Sequence, residues 1–129
     1  MRTNAREWVE KAEADFFSAG REYRARKRPN YDAACFFAQQ CVEKYLKAHL
    51  IEVGTSFPKT HDLDVLLDLA ARTAPQWEIL RPIMGSLTTY AVAFRYPGES
   101  ATRDMARIAL RNAGQARQRM RSDLCRRKA

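Results

Sequence analysis

Apolar side chains recur every three or four residues along this chain, and that spacing constrains its fold more than any other feature of the sequence. Near the start, the series runs through Trp8, Ala12, Phe16, Ala19 and Tyr23. Residues spaced in this way lie on one face of an α-helix. The 129 residues include only five Gly and five Pro, and long stretches contain neither. We therefore expect an all-α chain, because a fold with many turns needs more of both residues.

The first two predicted helices are long. The first begins at Asn4, where Glu7 completes a capping-box pattern, and it ends in the basic run 24–28. The second runs from about Tyr31 to Val53, and Gly54 is suited to be its C-cap. Its first half is apolar nearly all round, which is typical of a central helix covered on several sides.

Three further helices complete the prediction. A short third helix follows Thr60, which is placed to cap it. The fourth opens at Pro75, is kinked or interrupted at Pro82, and ends in the segment 95–98. The last helix begins near Ser100 or Thr102. Short connections make neighbouring helices antiparallel, so we expect residues 1–129 to form a single domain, an up-and-down antiparallel bundle of four to five helices.

Charge is distributed unevenly along the chain. The net charge is +8, and from Glu99 onward nine Lys and Arg face three Asp and Glu, so most of the excess belongs to the last helix and its tail. A basic helix of this kind attracts nucleic acid or an acidic partner. The alternative is an ordinary solvated helix face that ends in a loose tail.

The sequence favours a cytoplasmic protein without a cofactor. No apolar run approaches the ~18 residues of a membrane span, and the N-terminus lacks the apolar core of a signal peptide. We expect Cys35, Cys41 and Cys125 to be small buried apolar residues, because they lack metal-site or redox-motif spacing. The glycines form no phosphate-binding loop, and the two histidines lie twelve residues apart. We therefore expect no catalytic motif, metal or cofactor.

Three segments carry a resemblance to a known family. They are FFAQQCVEKYLKAHL at 36–50, PKTHDL at 58–63 and FRYPG at 94–98. In this order and at these separations, they resemble the HEPN family, the higher-eukaryote and prokaryote nucleotide-binding domains. The resemblance covers essentially the whole chain, and it is greatest to the stand-alone prokaryotic members.

The resemblance implies a helical bundle that forms a homodimer. It also implies a nucleotide-binding or antitoxin-linked partner of a nucleotidyltransferase. Other members are metal-independent RNases with an Arg, four to six residues, then a His on one helix. Neither His49 nor His61 has an Arg at that spacing. The leading hypothesis is therefore a non-catalytic binding module for a nucleotide, RNA or nucleotidyltransferase partner. The alternative is an RNase that uses His61 and Arg95 from different helices.

Seven residues form the candidate ligand site. Helical spacing places Gln40, Glu43 and Lys44 on one face of the second helix. The start of the third helix, with its free N–H groups, favours an anion, and a guanidinium grips phosphate with two hydrogen bonds. The predicted site comprises Gln40, Glu43, Lys44, His61, Asp62, Arg95 and Tyr96.

Each of these residues also has a structural interpretation. For His61, that interpretation is capping and packing beside Asp62. Arg95 can instead cap the fourth helix and pair with Glu43 or Asp62. Lys47 is expected on a solvated face. The polar pair Gln39 and Gln40 lies in a buried stretch, where hydrogen-bond partners are required, so a structural network competes with a binding role.

Overall fold

Residues 1–126, the part of the chain described by a computed structural model, form five α-helices and contain no strand. The helices are α1 (Thr3–Arg24), α2 (Tyr31–Glu52), α3 (Leu63–Ala70), α4 (Arg81–Leu87) and α5 (Arg103–Arg126). Two 3₁₀ segments, Pro75–Leu80 and Thr88–Ala91, flank α4. The predicted all-α bundle is confirmed. The rest of the predicted basic tail, 127–129, lies outside the described residues.

Helix α1 begins differently from the prediction. Its N-cap is Arg2, which makes no side-chain capping hydrogen bond, and Asn4 lies inside the helix. The expected capping box is therefore wrong. Tertiary contacts fix this end instead, because the Arg2 backbone N–H donates to Glu52 Oε1 at 2.7 Å. The start of α1 is thereby held against the end of α2, and the two helices are antiparallel.

Both ends of α2 follow from its flanking residues. Asn30 Oδ1 accepts a hydrogen bond from the Ala33 N–H at 2.9 Å and caps the N-terminus. Gly54 adopts φ +75°, the left-handed conformation that ends a helix. The Thr55 N–H then donates to the Leu50 carbonyl at 2.8 Å. The predicted span of this helix is confirmed to within one residue.

The predicted third and fourth helices need correction. Asp62, not Thr60, caps α3, by accepting from the Asp64 N–H at 2.9 Å. Thr60 Oγ1 accepts from the Asp62 N–H at 3.0 Å and shapes the turn before the cap. The predicted fourth helix is divided into two 3₁₀ segments around a short α4. Pro82 lies at the second position of α4, where its missing N–H costs nothing. Of the two predicted alternatives, it therefore interrupts the helix and does not kink it.

The core is centred on α2, as its all-round apolar sequence predicts. Cys35, Cys41, Tyr45 and Leu46 are fully buried within it, between α1 and α5. Cys125 on α5 is exposed, so the expectation of three buried cysteines holds for only two of them. The buried Leu124 precedes Cys125 on an amphipathic helix, where successive side chains point in different directions.

Glu13 joins the three long helices. Its carboxylate accepts from Tyr45 Oη at 2.5 Å and from Arg117 Nε and Nη2 at 2.6 Å each. The hydrogen bond from Arg117 is the main reason that the pKa of Glu13 lies below its usual value, and it outweighs the opposing effect of burial. This contact fixes the register of α1, α2 and α5.

No helix among the described residues has the length and apolar character needed to cross a membrane.

Candidate functional site

A buried carboxylate, Glu43, lies at the centre of the candidate site. Only 3% of its surface is exposed. Glu43 Oε1 accepts hydrogen bonds from Gln39 Nε2 at 3.1 Å and His61 Nδ1 at 2.9 Å, and Oε2 pairs with Lys47 Nζ at 3.0 Å. Gln40 Nε2 donates to Gln39 Oε1 at 2.7 Å and lies 3.4 Å from Glu43 Oε1. We call these five residues the Glu43 cluster.

Helical spacing and one loop contact assemble the Glu43 cluster. Gln39, Glu43 and Lys47 follow one another at intervals of four residues, which places them on one face of α2. Gln39 Nε2 also donates to the His61 backbone carbonyl at 3.0 Å. The segment before α3 is therefore held on α2 by both the side chain and the backbone of His61. The predicted hydrogen-bond network of the two glutamines is confirmed.

Lys47 is the cluster residue that the sequence interpretation missed. It was expected on a solvated face, but it is only 9% exposed. Its Nζ lies 5.7 Å from the ring centre of Trp8 and 5.8 Å from that of Phe57. The two aromatic faces and Glu43 stabilise this charge inside the fold. The signal available in the sequence was the Glu43–Lys47 spacing of four.

The hydrogen bonds determine the charge of Glu43. Burial alone would raise its pKa, but the hydrogen bonds from His61, Gln39 and Lys47 together hold the pKa below its usual value. Glu43 is therefore ionised at neutral pH, and an ionised carboxylate only accepts hydrogen bonds. The His61 Nδ1 must then carry the proton in this contact.

The same contact orients the exposed part of His61. Its side chain is 61% exposed although Glu43 beneath it is buried. Within the described residues, no hydrogen bond occupies Nε2. In the neutral ring Nε2 accepts a hydrogen bond, and in the protonated ring it donates one. His61 thus presents a ring of fixed orientation at the surface.

Contacts bring together only part of the predicted site. Gln40, Glu43 and His61 belong to the Glu43 cluster. Lys44 pairs instead with Asp15 on α1, Nζ to Oδ2, at 2.6 Å. Asp62 is occupied as the cap of α3.

Arg95 and Tyr96 lie on the segment after the second 3₁₀ turn. Arg95 Nη2 donates to the Ala91 carbonyl at 2.9 Å and so caps that turn. Among residues 1–126 it pairs with neither Glu43 nor Asp62. The predicted capping role of Arg95 is therefore observed, and the predicted ion pair is not. Tyr96 is 74% exposed. A ligand shared by Arg95, Tyr96 and the Glu43 cluster stays a prediction.

The start of α3 offers less to an anion than the sequence suggested. The Leu63 N–H donates to Thr88 Oγ1 at 2.9 Å, and the Asp64 N–H donates to the Asp62 side chain. Two of the first amides are therefore already satisfied, and two carboxylates lie beside them. His61 is the stronger candidate for contact with a ligand. Among residues 1–126, no group of three or more His, Cys, Asp or Glu is arranged to hold a metal ion.

Comparison with known proteins identifies the family. The family model described as HEPN domain matches residues 5–122, nearly the whole chain. Comparisons with curated proteins and with solved structures give no significant match. The match includes every residue of the Glu43 cluster and the Arg95–Tyr96 segment. The chain therefore belongs to the HEPN domain family.

Proposed function

We propose that this protein is a non-catalytic HEPN module that binds a nucleotide at the Glu43 cluster and acts as a homodimer beside a nucleotidyltransferase. Membership of a nucleotide-binding family supports the ligand class. A reducing, cytoplasmic setting is part of the proposal, because all three cysteines carry free thiols.

The observation that carries the proposal is the exposed imidazole of His61 held by the buried Glu43. A side chain oriented in this way has already lost its rotational freedom, so it binds a ligand at lower entropic cost. Neutral His61 Nε2 accepts a hydrogen bond from a base amine or a ribose hydroxyl, and the protonated ring donates to a phosphate. Gln40, half-buried beside it, adds an amide suited to the edge of a base.

Arg95 provides the phosphate contact in this proposal. It is exposed, and within residues 1–126 its one hydrogen bond is to a carbonyl oxygen, so most of its five N–H donors remain available. Its guanidinium pairs with a phosphate through two hydrogen bonds. Tyr96 next to it presents an exposed ring that suits a base.

Calorimetric titration with the four common ribonucleoside triphosphates tests the proposal. We expect one of them to bind, and we expect His61→Ala and Arg95→Ala each to weaken binding roughly tenfold or more, since charge-assisted contacts contribute ~1.5–3 kcal/mol. Arg111→Ala is the matched control, because Arg111 is an exposed arginine on the outer face of α5. The proposal is contradicted if none of the four nucleotides binds, or if His61→Ala, Arg95→Ala and Arg111→Ala bind with equal affinity.

RNA cleavage is the second candidate function, and the Glu43–His61 hydrogen bond favours it. A carboxylate that orients an imidazole through Nδ1 is an arrangement used for general base catalysis. Cleavage also needs a group that protonates the leaving oxygen, and the guanidinium of Arg95 does not give up its proton in proteins. We therefore expect no RNA cleavage by the purified protein. Cleavage that His61→Ala abolishes would establish the enzyme instead.

A further inference from the structure

One side of the molecule, where α1 and α5 pack together, carries a row of surface depressions lined by arginine. The depression near the end of α5 has a volume of about 510 Å³ and shares Arg117 with the next one, of about 320 Å³. That one shares Arg24 with a depression of about 500 Å³, which shares Arg103 with the fourth. Neighbouring depressions in this row thus share lining residues, and we call the row a trough, the α1–α5 seam, defined by Arg24, Arg103, Arg107, Arg117, Arg121 and Arg126.

The seam holds more positive charge than the protein neutralises. Arg117 is committed to Glu13, and Arg121 lies 3.8 Å from a Glu13 oxygen that already accepts from Arg117. Arg107 pairs with Asp104 at 2.7 Å in an exposed contact. Arg126 lies 4.0 Å from its carboxylate, Asp123. Six arginines thus face three carboxylates, and Arg24 and Arg103 form no ion pair among the described residues.

Two features of α1 adapt the seam to a ligand. A Cβ on Gly20 would lie 2.6 Å from Arg24 Nη2, so the absence of a side chain at Gly20 lets the Arg24 guanidinium fold back into the trough. Phe17 lines the same depression and is 65% exposed, with Arg21 Cζ 5.6 Å from its ring centre. The exposed ring of Phe17 therefore lies beside guanidinium groups, which are attracted to its face.

We propose that the α1–α5 seam binds the phosphodiester backbone of a single-stranded nucleic acid. Every seam cation is an arginine, and guanidinium matches phosphate oxygens with paired hydrogen bonds better than ammonium does. The arginines extend along α5, a helix of 24 residues and hence about 36 Å long. A strand with one charge per nucleotide follows such a line, and Phe17 supplies a surface on which a base stacks.

A nucleic acid suits the seam better than an acidic protein does. Carboxylates on a folded protein are scattered among other side chains, whereas phosphates repeat at a regular interval along the whole trough. An acidic helix also offers no flat ring to Phe17. The seam shares no residue with the Glu43 cluster, so this inference stands or fails independently of nucleotide binding there.

Fluorescence anisotropy with labelled uridine and thymidine strands of about twelve nucleotides, within the usual site size, tests the inference. The variant Arg103→Gln, Arg107→Gln, Arg121→Gln removes three seam charges and leaves the Arg117–Glu13 contact intact. We expect roughly tenfold or weaker binding and a salt-dependence slope lower by about 2, since each contact with a single strand contributes about 0.7. A preference for one strand identifies RNA or DNA as the natural source of the backbone.

The matched control is Arg72→Gln, Arg111→Gln, Arg119→Gln, which removes the same charge from residues that do not line the seam. We expect it to retain most of the affinity and slope. Phe17→Ala should weaken binding about fivefold or more, and because the ring is exposed this variant remains folded even if the triple variant does not. Equal losses in both triple variants, no loss with Phe17→Ala, or equally strong competition by polyglutamate would overturn the proposal.

Discussion

At the residue scale, the Glu43 cluster shows how this fold accommodates buried charge. Lys47 and Glu43 are both withdrawn from water, and burying an ion pair is costly unless further hydrogen bonds complete it. Gln39 and His61 supply those bonds to Glu43, while Trp8 and Phe57 surround the lysine. The stability of these buried charges therefore depends on every member of the cluster. The Glu43 carboxylate, which the other members contact, is the group most sensitive to substitution.

We predict that Glu43→Gln destabilises the protein by about 3 kcal/mol at pH 7, because Lys47 is left buried without a counter-charge. The pKa of Glu43 is lowered on folding from its usual 4.5. Its ionisation therefore stabilises the fold above that pH, and the stabilisation is lost as the pH falls through the lower folded value. Urea unfolding of both proteins from pH 7 to about pH 3 should show the difference shrinking with acid.

Glu10→Gln is the control for this prediction. Glu10 is exposed on α1, so its substitution should change stability by less than about 0.5 kcal/mol. A difference between wild type and Glu43→Gln that is constant across the pH range would show that Glu43 acts only through packing.

The sequence predicted the polar residues of the site better than their pairings. Spacing placed Gln40 and Glu43 on one face of α2, and the motif at 60–63 singled out His61. Lys44 turned instead to Asp15, and Lys47 was missed. The spacing of residues along a helix predicts which face each one lies on, but not how deeply that face is buried. Whether a lysine is buried depends on Trp8 and Phe57, which are distant in sequence.

At the element scale, helix ends were predictable where a single residue determines them. Asn30 and Gly54 delimit α2 through local hydrogen bonds and a positive φ, and both can be read from the sequence. The start of α1 was missed because it depends on Glu52, which is fifty positions away. The region 75–94 was predicted as one helix, kinked or interrupted at Pro82, because the apolar spacing of three and four residues persists through 3₁₀ turns.

We predict opposite effects for two Gly-to-Ala substitutions. Gly54→Ala should destabilise by about 1 kcal/mol, since alanine is strained at φ +75°. Gly85→Ala lies inside α4, where an added Cβ meets no atom within 4 Å, so it should stabilise by up to about 1 kcal/mol. Thermal unfolding should show a lower midpoint temperature for Gly54→Ala and a higher one for Gly85→Ala than for the wild type. Stabilisation by Gly54→Ala would show that the end of α2 is set by its packing and not by this cap.

At the scale of the whole molecule, the arginine-rich seam is distinct from an exposed apolar segment after α4. The excess arginine lies along α5, as the charge distribution in the sequence indicated, and much of it gathers in the α1–α5 seam. The exposed apolar side chains Val92 and Tyr96 lie instead at the end of the second 3₁₀ turn, beside the stacked rings of Tyr90 and Phe94. The positively charged seam repels the same seam on a second copy, whereas the apolar segment that contains Val92 and Tyr96 is suited to self-association.

We therefore predict a homodimer formed through the segment 90–96. Val92 and Tyr96 are 59% and 74% exposed, and a symmetric contact buries the same apolar residues on both copies at once. Light scattering at tens of micromolar should give twice the chain mass of 14.9 kDa. Val92→Glu should halve that mass, because it buries a charge at the interface. Ile79→Glu, at another exposed apolar residue, should leave the dimer intact. A wild-type protein that is monomeric at this concentration contradicts the prediction, and a dimer that Ile79→Glu alone disrupts would move the interface to the first 3₁₀ segment.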